Sequence, residues 1–245
     1  MARSATTTHA AYILHTRPYR ETSITLELLT SDLGRVGAIY KGGRKGGKNK
    51  ARPESFIHYH ACLFGSGELK SVASLEVDQP FDMQRLQGVQ LFSAMYVNEL
   101  LYKALPRSVV HEDIFVAYQD VLLALRSTAN FEAHLRHFEL RCLTSLGYGL
   151  SFDYEADGQT AIQADRHYTF EATRGFCVAS VDEINKAQVT KRLLVKGEVL
   201  MAIANGQWQD SVVLQSLKRI NQYAINDLLK GRPIKSREFL RKSSR

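Results

Sequence analysis

Cysteine is scarce in this 245-residue chain. Cys62, Cys142 and Cys177 lie 80 and 35 positions apart and form no CxxC pair. That pattern excludes a disulfide-stapled scaffold and a four-cysteine zinc site, and it predicts reduced thiols in a cytoplasmic protein. Long apolar runs are missing too. No stretch of about 18 apolar residues is present, so no membrane-spanning helix is expected. Catalytic signatures are equally absent: there is no nucleophile elbow, no HExxH and no paired-carboxylate motif, and the scattered His, Ser and carboxylate residues predict no enzyme and no catalytic residue. The first twenty residues lack acids and are rich in Ala, Ser and Thr. An organelle transit peptide has that composition, but the run passes directly into a strand-like segment, which favours a short frayed terminus.

Positive charge is present and unevenly placed. From Arg35 to Arg52 there are seven cations, Arg35, Lys41, Arg44, Lys45, Lys48, Lys50 and Arg52, with no acid and with the glycine-rich core GGRKGG. Residues 230–245 carry seven more, including Lys235 and Arg237, against Glu238 alone. The two segments together hold +13 of a chain whose net charge is +7, so the remainder sums to −6. Cationic charge concentrated on an otherwise mildly acidic chain is the footprint of a polyanion partner. A solvated loop and a frayed tail would show the same composition. An anionic membrane would need an apolar face that neither run has.

The first eighty residues read as strands at 11–15, 23–30, 35–41, 56–64 and 68–77, separated by turn chemistry such as Ser31-Asp32-Leu33-Gly34 and Gly65-Ser66-Gly67. Five short strands predict a small barrel, and the oligonucleotide-binding (OB) type accounts for a basic loop between the third and fourth. Tyr19 and Tyr40, beside Arg20 and Lys41, are candidates for stacking on bases, while Phe56 is expected in the core. Arg17 and Arg20 extend the cationic surface.

From residue 82 the period becomes helical, with apolar faces at Leu91 to Leu105, at Ile114 to Leu125 and at Leu135 to Leu146. Strand-like alternation returns over 152–181, and further helices are predicted near 189–204 and 211–229. The fold class is therefore α+β: an OB barrel over 1–80, then a mainly helical domain over 81–245 with a β-hairpin insert at 152–182.

Two motifs fall short of a cofactor. Gly42-x-x-x-x-Gly47-Lys48-Asn49 ends in Asn where a nucleotide-binding loop needs a hydroxyl for magnesium. His58, His60 and Cys62 alternate on one strand face, yet no fourth zinc ligand accompanies them. No cofactor and no metal are expected.

The segments AYILHTRPYRETSITLELLTSDLGRVGAIYKGGRK (11–45), GSGELKSVASLE (65–76), YVNELLYKAL (96–105), LRHFELRCLTSLGYG (135–149) and GRPIKSREFL (231–240) occur in an order that resembles the RecO family of DNA repair proteins. The resemblance implies a recombination mediator that binds single- and double-stranded DNA and anneals complementary strands. It implies engagement of the acidic C-terminal tail of the single-strand binding protein SSB, work with RecR to load RecA onto SSB-coated strands, and a cytoplasmic, nucleoid-associated location. It also implies that Arg136 grips the carboxylates of the SSB tail and that Ile114 meets its terminal aromatic residue. Many family members carry a four-cysteine zinc site after LGYG, whereas residues 150–182 here hold only Cys177. From composition alone, a general RNA-binding OB module remains the alternative.

Overall fold

In the computed structural model, residues 6–44, 52–78, 85–127, 130–172, 174–190 and 193–243 are described. Lys45, Lys48 and Lys50 lie outside them. The chain divides into two compact units, Met1–Ala129 with Ile234–Arg245, and Asn130–Pro233.

The first unit is built on a five-stranded closed barrel of β1 (Thr7–Tyr19), β2 (Ser23–Thr30), β3 (Gly34–Tyr40), β4 (His58–Phe64) and β5 (Leu69–Val77). The strand order is β1-β2-β3-β5-β4, with β4 returning to β1. Only β3 and β5 run parallel. That is the OB arrangement expected from the strand spacing. Alternation along each strand fills the barrel: Ile13 on β1, Leu26 and Leu28 on β2, Val36, Ala38 and Tyr40 on β3, and Tyr59, Ala61 and Leu63 on β4 point inward. Gly34 opens β3 at φ +69, and a β-carbon there would fall 1.9 Å from the Val109 carbonyl oxygen. Only glycine lets residues 107–110 run this close to β3, where the Ser108 amide donates to the Arg35 carbonyl at 2.9 Å.

Helices α1 (Gly88–Ala104) and α2 (Glu112–Ser127) follow the barrel. The buried face of α1 is not the purely apolar stripe expected, because it includes Ser93 and Asn98 while Met95 is exposed. Asn98 explains the rotation. Its amide donates to the carbonyls of Ile13 and Leu14 at 3.1 and 3.2 Å, and its oxygen accepts from the buried Tyr118 hydroxyl on α2 at 2.6 Å. One polar side chain thus joins β1, α1 and α2 and satisfies every group it buries. The C-terminal segment completes this unit: α7 (Arg237–Ser243) packs on α1, with Phe239 stacked against Phe92 at 5.6 Å.

The second unit contains α3 (Glu132–Ser145), the hairpin of β6 (His167–Glu171) and β7 (Gly175–Val178), α4 (Val181–Thr190), β8 (Leu194–Lys196), α5 (Gly197–Ala204) and α6 (Ser211–Leu228). The expected single helix near 189–204 is interrupted. Leu193 and Val195 are buried on either side of Leu194, a period of two, and β8 pairs with β6 as the third strand of a sheet ordered β7-β6-β8. Gly197 then starts α5 where a β-carbon would meet the Gln163 carbonyl oxygen at 1.9 Å. Phe170 and Phe176 pack at 5.0 Å and hold the hairpin without cross-links. The side chain of Asp210 caps α6 by accepting from the amides of Val212 and Val213.

Candidate nucleic-acid interface

The β1–β2 turn and the end of β3 meet on one side of the barrel. Arg20 occupies the left-handed region at φ 53, which reverses the chain between β1 and β2. The Arg44 amide donates to the Thr22 carbonyl at 3.0 Å, and its guanidinium donates to the carbonyls of Arg20 and Glu21 at 3.1 and 3.4 Å. The start of the basic loop is thereby tied to the turn. Gly43 allows this, since a β-carbon there would lie 2.8 Å from Tyr40 and 2.9 Å from Ile24. Between these segments opens a groove of about 640 Å³ lined by Tyr19, Arg20, Thr22, Ser23, Ile39 and Lys41, with Glu21 as its acid. Arg20 lies over the Tyr19 ring at 5.2 Å from its centre. The ring is half-buried and the two cations are exposed. Such a groove presents an aromatic surface beside cations, a combination suited to a base and its phosphate.

The other expected interface residues separate by environment. Arg17 is exposed and donates to the Tyr102 hydroxyl at 3.1 Å. Arg52 is exposed as well. Arg35, by contrast, is committed to the fold: it pairs with Glu27 at 2.7 Å, donates through Nε to the Leu105 carbonyl at 2.9 Å, and lies over the Tyr102 ring. Glu27 also accepts from Arg107, so one carboxylate anchors two guanidinium groups. Tyr40 is a correction to the stacking expectation. It is 3% exposed inside the barrel, where burial pushes its phenol above its ordinary pKa, and it presents no ring face to a base. Its position follows from parity with Val36 and Ala38.

In the C-terminal segment, Lys235 is exposed and Arg237 is half-buried over the Tyr96 ring. Their placement depends on Glu99. Its carboxylate accepts from the amides of Lys235 and Ser236 at 3.0 and 2.8 Å and from the Ser236 hydroxyl at 2.8 Å, and it pairs with Lys103 at 2.6 Å. Burial opposes ionisation of Glu99, but these donors outweigh it and hold its pKa at about 2. The i,i+4 spacing of Glu99 and Lys103 was a legible helix pair; the capture of residues 235 and 236 carried no local signal.

The two residues expected at an SSB tail are both buried. Ile114 is 0% exposed in the first unit. Arg136, in the second, is 4% exposed and pairs at 2.9 Å with Glu139, whose carboxylate also accepts from Asn221. As placed, its guanidinium serves this internal network. His58 and His60 share the Asp78 carboxylate at 2.8 and 2.5 Å. Among the described residues there is no group of three or more His, Cys, Asp or Glu side chains able to hold a metal, and no helix is long and apolar enough to cross a membrane.

An OB-type barrel with a cationic groove, followed by helices and a small sheet, is the architecture these residues define. Residues 1–81 match the family model described as Recombination protein O N terminal, and residues 85–238 match Recombination protein O C terminal. The DNA repair protein RecO of Psychromonas ingrahamii is 35% identical over 94% of this chain and 95% of its own length. Its namesakes from Methylococcus capsulatus and Pseudomonas aeruginosa are each 36% identical, covering 96% and 94% of this chain and 93% of their own lengths. The chain belongs to the RecO family of DNA repair proteins.

Proposed function

We propose that this RecO-family protein is a recombination mediator that acts by binding and not by catalysis. It holds single- and double-stranded DNA on the cationic side of its barrel, anneals complementary strands, engages SSB, and with RecR assists the loading of RecA onto SSB-coated strands in the cytoplasm. The observation that carries the DNA-binding step is the groove between the β1–β2 turn and the end of β3, where exposed Arg20 and Lys41 flank the Tyr19 ring.

Electrostatic contact with the sugar-phosphate backbone positions a strand without reading its sequence. Cations shared between two strands reduce their mutual repulsion, which is what annealing requires. Tethering to the SSB tail would raise the local concentration of the mediator at SSB-coated DNA. Ile114 contributes no surface to such a tether as placed, and Arg136 would have to exchange Glu139 for a peptide carboxylate. A fluorescence titration in which single-stranded DNA, RNA of the same sequence and an SSB-tail peptide compete for the full chain tests this reading. Preference for DNA over RNA, with independent peptide binding, supports it. Preference for RNA would favour a general RNA-binding module.

A further inference from the structure

A second groove lies within the first unit, away from the β1–β2 turn. It encloses about 490 Å³ between residues 52–57, the start of α1 and the end of α2. Arg52, Arg85 and Arg126 are among its lining residues, and among the described lining residues Glu54 is the single acid. Leu86, Leu91 and Phe56 supply apolar surface. A neighbouring hollow of about 200 Å³ shares Arg85, Leu86 and Arg126, so the cationic wall continues past the groove.

Phe56 is the unusual residue. It sits at φ 68, a left-handed conformation that a bulky side chain rarely adopts. Arg126 donates to its carbonyl, which fixes the strained peptide, and the ring is half-buried along the groove and not sealed in the barrel core. Strain of this kind persists where surrounding contacts hold it and points to a use for the side-chain position it creates. Arg52 and Arg85 are both exposed. Arg52 is also the last cation of the run from Arg35 to Arg52, so the groove continues the same basic segment that enters the first groove through Lys41.

The geometry points to a second single-strand subsite, in which Arg52 and Arg85 bind backbone phosphates and one base packs on Phe56. This rests on the DNA-binding reading above and extends it to a named site. A base on an aromatic platform is tolerant of sequence, and alanine substitution of such platforms removes a contribution worth about tenfold in affinity. Guanidinium groups suit the phosphates through paired hydrogen bonds. The presence of three arginines with one carboxylate disfavours an uncharged ligand.

The test uses the full chain and a short oligothymidylate carrying 5-iododeoxyuridine. Irradiation is expected to attach the probe to the peptide containing Phe56, and F56L, which keeps an apolar side chain but removes the ring face, is expected to abolish that adduct and weaken binding about tenfold. R52A with R85A, both surface changes, is expected to weaken binding and lower its salt dependence. An unchanged adduct pattern and affinity in F56L and in R52A with R85A, while K41A with R20A loses affinity, would overturn the subsite and leave the barrel reading intact. Failure of the unaltered protein to bind the probe would instead overturn the underlying DNA-binding reading. Binding of an acidic peptide, lost in R52A with R85A while oligothymidylate binding is retained, would reassign the groove to a protein partner and overturn the subsite.

Discussion

Glu99 on α1 and Ser236 in the C-terminal segment are 137 positions apart, yet the Glu99 carboxylate accepts both the amide and the hydroxyl of Ser236 at 2.8 Å. This contact decides where the second cationic cluster sits. Lys235 and Arg237 flank Ser236 and are placed with it, so the C-terminal cations belong to the same compact unit as the barrel.

Replacing Glu99 with Ala is expected to release residues 234–243 from α1 while leaving the barrel folded. Three donors lose their acceptor, and the Lys103 ammonium loses the Glu99 carboxylate. Limited trypsin digestion near neutral pH checks this: cleavage in the C-terminal segment should accelerate in E99A and leave a stable fragment.

The same contact has a pH dependence. The carboxylate is held at about 2, below its ordinary 4.5, so its ionised form stabilises the docked segment fully above pH 4.5 and loses that contribution as pH falls from 4.5 towards 2. Amide resonances of Lys235 and Ser236 should shift across that window in the unaltered protein. In E99Q the window should disappear.

Asn98→Ala is expected to destabilise the first unit by about 1–3 kcal/mol, because the Tyr118 hydroxyl and the carbonyls of Ile13 and Leu14 lose a buried partner. Denaturant unfolding monitored by circular dichroism measures the change. Gly34→Ala should cost more than about 1 kcal/mol, since φ +69 and the Val109 carbonyl both oppose a side chain.

Arg136→Ala removes the cation from a buried pair in which both side chains are almost fully enclosed. Glu139 then keeps the Asn221 amide but loses its buried counter-charge, which should destabilise the second unit by about 3 kcal/mol. Thermal unfolding, followed by the fluorescence of Trp208 in that unit, is the check. Loss of SSB-tail binding in this variant carries information about the tail only at temperatures where the second unit remains folded.

Much of the barrel was legible because strand alternation and turn chemistry are local signals. Four of the five strands lie within two residues of the predicted runs, whereas β1 extends four residues beyond its predicted run at each end, and Gly34, in the predicted Ser31–Gly34 turn, adopts φ +69. Tyr40 lies beside the exposed cation Lys41, but its parity with Val36 and Ala38 turns its ring into the barrel. Asn98 and Ser93 could not be read from periodicity, which expects apolar residues on a buried helix face and has no means of registering carbonyls presented by β1. Residues 193–195 were absorbed into a predicted helix because Leu and Val suit both periods when a strand is only three residues long. Nor could the candidate interface be ranked from charge alone. Arg35 and Lys41 belong to one basic run, but Arg35 is held by Glu27 and Leu105 while Lys41 lies exposed on the groove.

The most direct measurement is the salt dependence of single-stranded DNA binding by the full chain. Arg17, Arg20, Lys41, Arg44 and Arg52 are exposed on the first unit; neutralising about five phosphates gives a slope of log affinity against log salt of about −3.5. Substituting Arg20 and Lys41 with Ala should reduce its magnitude by about 1.4 and weaken binding across all sequences alike. A slope near zero, or the same slope and affinity in the R20A, K41A variant, would contradict DNA binding by this side of the barrel.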